Sequence, residues 1–103
     1  MTPLKNYSVY ILKCSDHSYY VGVTNDINRR IQEHNEGKYK GYTYNKRPVT
    51  LVFAEHFQCI NQAIAFEKQL KGWRRVKKEA LIYGEWHLLP RLSKTAKDTK
   101  DNL

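Results

Sequence analysis

The sequence predicts an α+β domain, a small three-stranded sheet flanked by helices in the order β-β-α-β-α-α. Three observations carry this. Two β-branched and aromatic segments, Tyr7 to Lys13 and Tyr19 to Thr24, flank the turn-forming residues Ser15, Asp16, His17 and Ser18. Asp26, a good N-cap, then opens a helical pattern. A third apolar run, Val49 to Phe57, is followed by two helix-spaced stripes.

In the hairpin, strand alternation sorts the side chains onto two faces. The odd positions Val9, Ile11, Val21 and Val23 are aliphatic and want a core. Tyr10 and Tyr20 stand on the other face, beside Gly22, where a backbone or a ligand could approach closely. In the first helix Ile27 and Ile31 form a core stripe flanked by Arg30 and His34, and Gly37 is a C-terminal stop. The stretch Lys38 to Pro48 reads as a loop. It interleaves Lys38, Lys40, Lys46 and Arg47 with Tyr39, Tyr42 and Tyr44. Such a mixture suits phosphate contact plus base stacking, and equally a solvated loop whose tyrosines pack back on the sheet. The run of Val49, Leu51, Val52 and Phe53 predicts that the third strand is central and covered on both sides.

Asn61 is the expected cap of the second helix, with Ile60, Ala63, Ile64, Glu67 and Leu70 facing inward. Glu67 interrupts that apolar stripe, and a buried carboxylate needs either a basic partner or a metal. Gly72 ends the helix. A last helix follows from Arg75 to about Tyr83, with Val76, Ala80 and Tyr83 on its inner side. Trp73 packs into the joint, and Trp86 covers the end of this last helix. The basic run from Lys68 to Lys78 is a solvated face or a second track for a nucleic-acid backbone. Residues 1–90 are read as one domain, and 91–103 as a polar, disordered tail.

A net charge of +8 on 103 residues favours a polyanionic partner, nucleic acid first. Cys14 and Cys59 lack metal-ligand spacing, and His17, His34, His56 and His87 form no ligand pair. Free thiols suit a reducing cytoplasm. The N-terminus shows no apolar signal region, and no run approaches membrane-spanning length, so no membrane partner is expected.

Taken together in order, Ser8-Val9-Tyr10, Tyr20-Val21-Gly22, Arg30, His34 and the run Glu67 to Trp73 resemble the GIY-YIG nuclease superfamily, in particular its small bacterial single-domain members. The likeness covers roughly residues 7 to 83. It implies a GIY-YIG-like fold and a metal-dependent endonuclease acting on DNA, with a possible place in repair. The alternative is a nucleic-acid-binding module with weak or no cleavage. By the same resemblance Glu67 would hold one Mg²⁺ or Mn²⁺. Arg30 would grip the scissile phosphate, and Tyr10 would deprotonate or orient water. Tyr20 would position water or phosphate, and His34, at the edge of the cleft, would relay a proton. Lys38, Lys40, Tyr42, Tyr44, Lys46 and Arg47 would border the substrate, and a partner protein could supply specificity. The chain departs from the family pattern twice. Ser8 stands where the first motif opens on glycine, and the only asparagine after Glu67 is Asn102, in the polar tail.

Overall fold

The structure is a computed structural model and describes residues 6–90. The expected polar tail, 91–103, lies outside the described residues. The elements run β1 (Tyr7–Lys13), β2 (Tyr19–Thr24), α1 (Ile27–Asn35), β3 (Thr50–Phe57), α2 (Ile60–Lys71) and α3 (Arg75–Ile82). Short 3₁₀ turns at Tyr44–Lys46 and Trp86–Leu88 complete the set. This is the α+β order read from the sequence. Contacts divide the chain into two compact units, the first ending at Glu67 and the second beginning at Lys68.

The first unit holds an antiparallel sheet in the order β2-β1-β3. β1 is therefore the central strand, and all of Ser8 to Leu12 is buried. β3, expected at the centre, is instead an edge strand and carries Leu51 exposed on its surface. An apolar run alone does not distinguish a central strand from an edge strand, because pairing partners are set by distant parts of the chain. The serine and tyrosines of β1 concealed its central position.

Like-parity pairing across the hairpin is as expected: Val9 opposes Val23, Tyr10 opposes Gly22 and Leu12 opposes Tyr20. Each face then receives its own cover. On the even face, Ile27 and Ile31 of α1 pack with Tyr20 against the buried cluster Tyr10, Leu12, Cys14 and Val49. On the odd face, Phe53 opposes Ile11 and Phe57 opposes Tyr7, so both phenylalanines share that side. Phe66 of α2 meets them there, with ring centroids 6.4 and 5.5 Å away.

Asp26 caps α1 by accepting a hydrogen bond from the Arg29 amide. Gly37 ends α1 in a left-handed conformation, φ 76°. Asn35 then ties the helix to the start of β3: its side-chain amide donates to the Val49 carbonyl, and its carbonyl oxygen accepts from the Val49 amide. α2 begins at Ile60, earlier than the expected Asn61 cap, and Ile60 is exposed instead of inward.

In the second unit, Lys77 and Ala80 are the buried residues of α3, while Val76 and Tyr83 are exposed, the reverse of the expected face apart from Ala80. The cause is local: Lys77 Nζ lies 4.4 Å from the Trp73 ring centroid. A cation over an indole face, with its methylene stem sheltered, offsets much of the cost of burying a lysine. Trp86, expected to cover the end of α3, is largely exposed, although its indole N–H donates to the Leu81 carbonyl.

Candidate active site

The site grows out of the even face of the hairpin. Tyr10 projects from the central strand directly over Gly22, and a Cβ at position 22 would stand 2.6 Å from Tyr10 Cζ. What comes close to Gly22 is thus the Tyr10 ring itself. Gly22→Ala should destabilise the fold by about 1–3 kcal/mol, the usual cost of overpacking. Chemical denaturation measures it, and an unchanged midpoint would show that the Tyr10 ring is free to move aside.

Four of the expected site residues meet here. The Tyr10 hydroxyl lies 3.3 Å from His34 Nε2. Tyr20 packs edge-on to the His34 ring with centroids 5.2 Å apart, and tilted against Tyr10 at 6.3 Å. Arg30, one helical turn before His34, brings its guanidinium beside the Tyr10 hydroxyl and 5.2 Å from the Tyr39 ring centroid. His34, expected at the edge, is at the centre of this group and only 3% exposed.

Sequence reasoning missed two further members, Glu33 and Thr43, and named Tyr39 only among the loop tyrosines. Glu33 accepts from Lys38 Nζ at 2.9 Å and from the Tyr39 hydroxyl at 2.8 Å. It also stands 3.8 Å from Arg30 Nε, an ion pair too long for a hydrogen bond. Thr43, only 2% exposed, places its hydroxyl oxygen 2.8 Å from His34 Nδ1. Tyr39 tilts against the His34 ring at 5.1 Å. Glu33 was legible, since i and i+3 share a helix face with Arg30. A loop threonine gives no such signal.

The Lys38 to Pro48 loop packs back over the tyrosines. Tyr42 stacks on Tyr20 with centroids 6.0 Å apart and planes 28° apart. Lys46 Nζ sits 3.5 Å from the Tyr42 ring centroid and pairs with Asp16 of the hairpin turn. The Ser15 amide donates to the Lys46 carbonyl, tying loop to turn. Lys40 and Arg47 both lie over the Tyr44 ring, and Arg47 also donates to the carbonyls of Tyr44 and Asn35. An open hollow of about 510 Å³ lies between Asn35 and the Tyr44 to Pro48 segment.

The electrostatics follow from burial. Desolvation pushes the Tyr10 phenol well above its ordinary range, with Tyr20 nearby adding to the effect and the Arg30 guanidinium opposing it. Burial, then the charge of Arg30, holds His34 below its usual 6.5, with Glu33 pulling the other way. Hydrogen bonds from Lys38 and Tyr39 keep the Glu33 carboxyl below the ordinary range. A buried neutral histidine favours the fold most above 6.5, and that contribution is lost as pH falls through the depressed native value. Thermal melts from pH 7 to pH 4 should therefore show a steeper acid loss in the wild type than in His34→Gln. Parallel curves would mean that His34 ionises as freely in the fold as outside it.

Arg30 Nε is buried and has no hydrogen-bond acceptor. Its nearest carboxylate, Glu33, stands 3.8 Å away, beyond hydrogen-bond reach. Glu67 is half-buried on α2, one residue beyond Phe66 and so turned roughly 100° from the side that packs on the sheet. Among the described residues no three His, Cys, Asp or Glu side chains cluster as a metal cage.

The three-stranded sheet thus presents paired tyrosines beside an arginine and a histidine from the following helix. The chain belongs to the GIY-YIG family, a family of nucleases: the GIY-YIG catalytic domain matches residues 6–80. Among its relatives, the UPF0213 protein YazA of Bacillus subtilis is 44% identical over 77 residues, 75% of this chain and 78% of the relative. The UPF0213 protein VNG_2274C of Halobacterium salinarum is 43% identical over 74 residues, 72% of this chain and 96% of the relative. Two solution NMR structures are similar. The protein EF2693 from E. faecalis has a TM-score of 0.57 at 33% identity, covering 85% of this chain and 93% of its own. The UPF0213 protein BH0048 from Bacillus halodurans has a TM-score of 0.51 at 41% identity, covering 76% and 83%.

Proposed function

We propose that this protein is a divalent-metal-dependent endonuclease that hydrolyses phosphodiester bonds in DNA, with a role in repair. The observation that carries the reading is the Arg30 guanidinium set beside the Tyr10–His34 pair, with its buried Nε lacking a hydrogen-bond acceptor. Membership of the nuclease family and a net charge of +8 support it.

The residues divide the work as follows. Arg30 binds the scissile phosphate and stabilises the charge that develops on it, using the forked geometry a lysine lacks. Tyr10 orients the attacking water and takes up its proton once ionised. Burial opposes that ionisation, so the phenol proton needs a neighbour to accept it, and His34 Nε2 is 3.3 Å away. Tyr20, packed between the edge of His34 and the stacked ring of Tyr42, holds the water or a phosphate oxygen in place. The cations of Lys38, Lys40, Lys46 and Arg47, and the rings of Tyr42 and Tyr44, guide the strand toward the site.

The donor set fits a Mg²⁺ or Mn²⁺ ion held by the Glu67 carboxylate with waters and phosphate oxygens, and does not fit a zinc cage. Such an ion, when bound, would supply Lewis-acid stabilisation of phosphate charge. Mn²⁺ titrated calorimetrically should bind the wild type and not Glu67→Gln; equal heats would remove Glu67 from the role.

One observation favours a second reading, a nucleic-acid-binding module with weak or no cleavage: Tyr10 has no exposed surface. Incubation with flap, branched, nicked and plain duplex DNA, with and without Mn²⁺, separates the two. Metal-dependent nicking of at least one substrate is expected. Salt-sensitive binding with all four left uncut would establish the second reading. Activity only in the presence of another protein would point to a partner that supplies specificity.

A further inference from the structure

Thr43 is a buried polar group to which the division of labour above gives no task. It lies in the loop that covers the site, where its carbonyl accepts from the Lys46 amide at the 3₁₀ turn. Its hydroxyl is aimed at the one ring nitrogen of His34 that Tyr10 does not use.

Imidazole nitrogens are not equivalent: in the neutral ring one carries the proton and the other the lone pair. Both neighbours of His34 are hydroxyls, which donate or accept, so the choice of tautomer is made elsewhere in the chain of bonds. Arg30 makes it. Its guanidinium has donors only, and it acts on the Tyr10 oxygen as a positive charge and a hydrogen-bonding neighbour. A donor beside its oxygen leaves the Tyr10 hydroxyl to turn its own hydrogen toward His34 Nε2. Nε2 is then the acceptor, and Nδ1 carries the proton.

We propose that Thr43 is a positioning residue whose hydroxyl accepts the Nδ1 proton of His34, so that the Nε2 lone pair is turned onto the Tyr10 hydroxyl. This rests on the nuclease reading for its consequence in catalysis but not for its geometry. In the transfer the Tyr10 O–H bond breaks and a His34 Nε2–H bond forms. A neutral pair becomes a phenolate beside an imidazolium, and the imidazolium keeps its Nδ1–H bond to Thr43. The other groups that face His34 are Arg30 and Glu33 on α1, Tyr20 on β2 and Tyr39 in the loop. Depressed basicity keeps His34 neutral near pH 7, as an acceptor must be.

The test reads the tautomer directly. Two-bond ¹H–¹⁵N spectra of the full chain should show wild-type His34 as the Nδ1–H form. Thr43→Val, which removes the hydroxyl at nearly constant volume, should shift it toward Nε2–H, and Thr43→Ser should restore Nδ1–H. On whichever DNA the wild type cuts with Mn²⁺, single-turnover cleavage by Thr43→Val should fall about 10- to 100-fold, as for lost orienting partners elsewhere. DNA affinity should hold, and Thr43→Ser should recover the rate. A wild-type Nε2–H tautomer overturns the proposal, even if Thr43→Val fails to fold. So does a Thr43→Val protein whose tautomer is unchanged. If the wild type cuts no DNA, the nuclease reading fails while the spectra still decide the role of Thr43.

Discussion

Arg30→Ala will lower the single-turnover cleavage rate by roughly a hundred- to a thousandfold, the range seen when one preorganised donor to a developing anion is removed. DNA affinity should change little, because the interaction strengthens only as charge accumulates on the phosphate. The structure supplies the reason: the Nε donor is buried without an acceptor, and its neighbours within reach are a phenol, an aromatic ring and a carboxylate at 3.8 Å. Glu33 is itself engaged by Lys38 and Tyr39, so it leaves Arg30 available to an incoming phosphate. Arg30→Lys should recover only a minor part of the rate, since an ammonium cannot form the fork. Filter binding alongside cleavage checks both. A matched loss of rate and affinity would make Arg30 a general phosphate anchor.

Tyr10→Phe should cost about a hundredfold or more in rate, the scale of general acid–base catalysis. Unlike Arg30→Ala it also perturbs the fold. It deletes the hydroxyl that faces His34 Nε2 in a fully buried setting, leaving a polar atom unsatisfied at a cost of about 1–3 kcal/mol. Rates must therefore be compared at a temperature where both proteins are folded. The rate of the wild type should rise with pH along an acid limb set by His34, below its ordinary 6.5, and Tyr10→Phe should flatten that limb. A silent Tyr10→Phe would make Tyr10 a packing residue.

The readable parts of this protein were those written in local patterns. Alternation in β1 and β2 gave both the register and the shared face of Tyr10 and Tyr20, because the period of two is a property of the strand itself. Asp26 and Gly37 marked the limits of α1 by their own side-chain and backbone chemistry. The centrality of β1 was not readable, since it depends on pairing with β3 some forty residues away. A tyrosine reads alike in a cleft and in a core, so the complete burial of Tyr10 was hidden, as was that of Lys77 against Trp73. Thr43 became a neighbour of His34 only through the path of a loop. Glu67 interrupts an apolar stripe in sequence, but that Phe66 beside it packs with Phe53 and Phe57 is something a one-dimensional pattern does not encode.

The contact of Tyr10 with Gly22 has a consequence for how such a chain changes over time. The two tripeptides that hold these residues look like separate signatures, ten residues apart. Mechanically they are a single interlock across two strands, one supplying a ring and the other the space for it. A side chain gained at position 22 displaces the phenol, and a smaller residue at position 10 leaves a hole over the glycine. Double-mutant free energies at the pair will be non-additive, and selection acts on both positions as one locus. The Tyr10 hydroxyl is thereby inherited with the core that folds the domain, and neither can drift without the other.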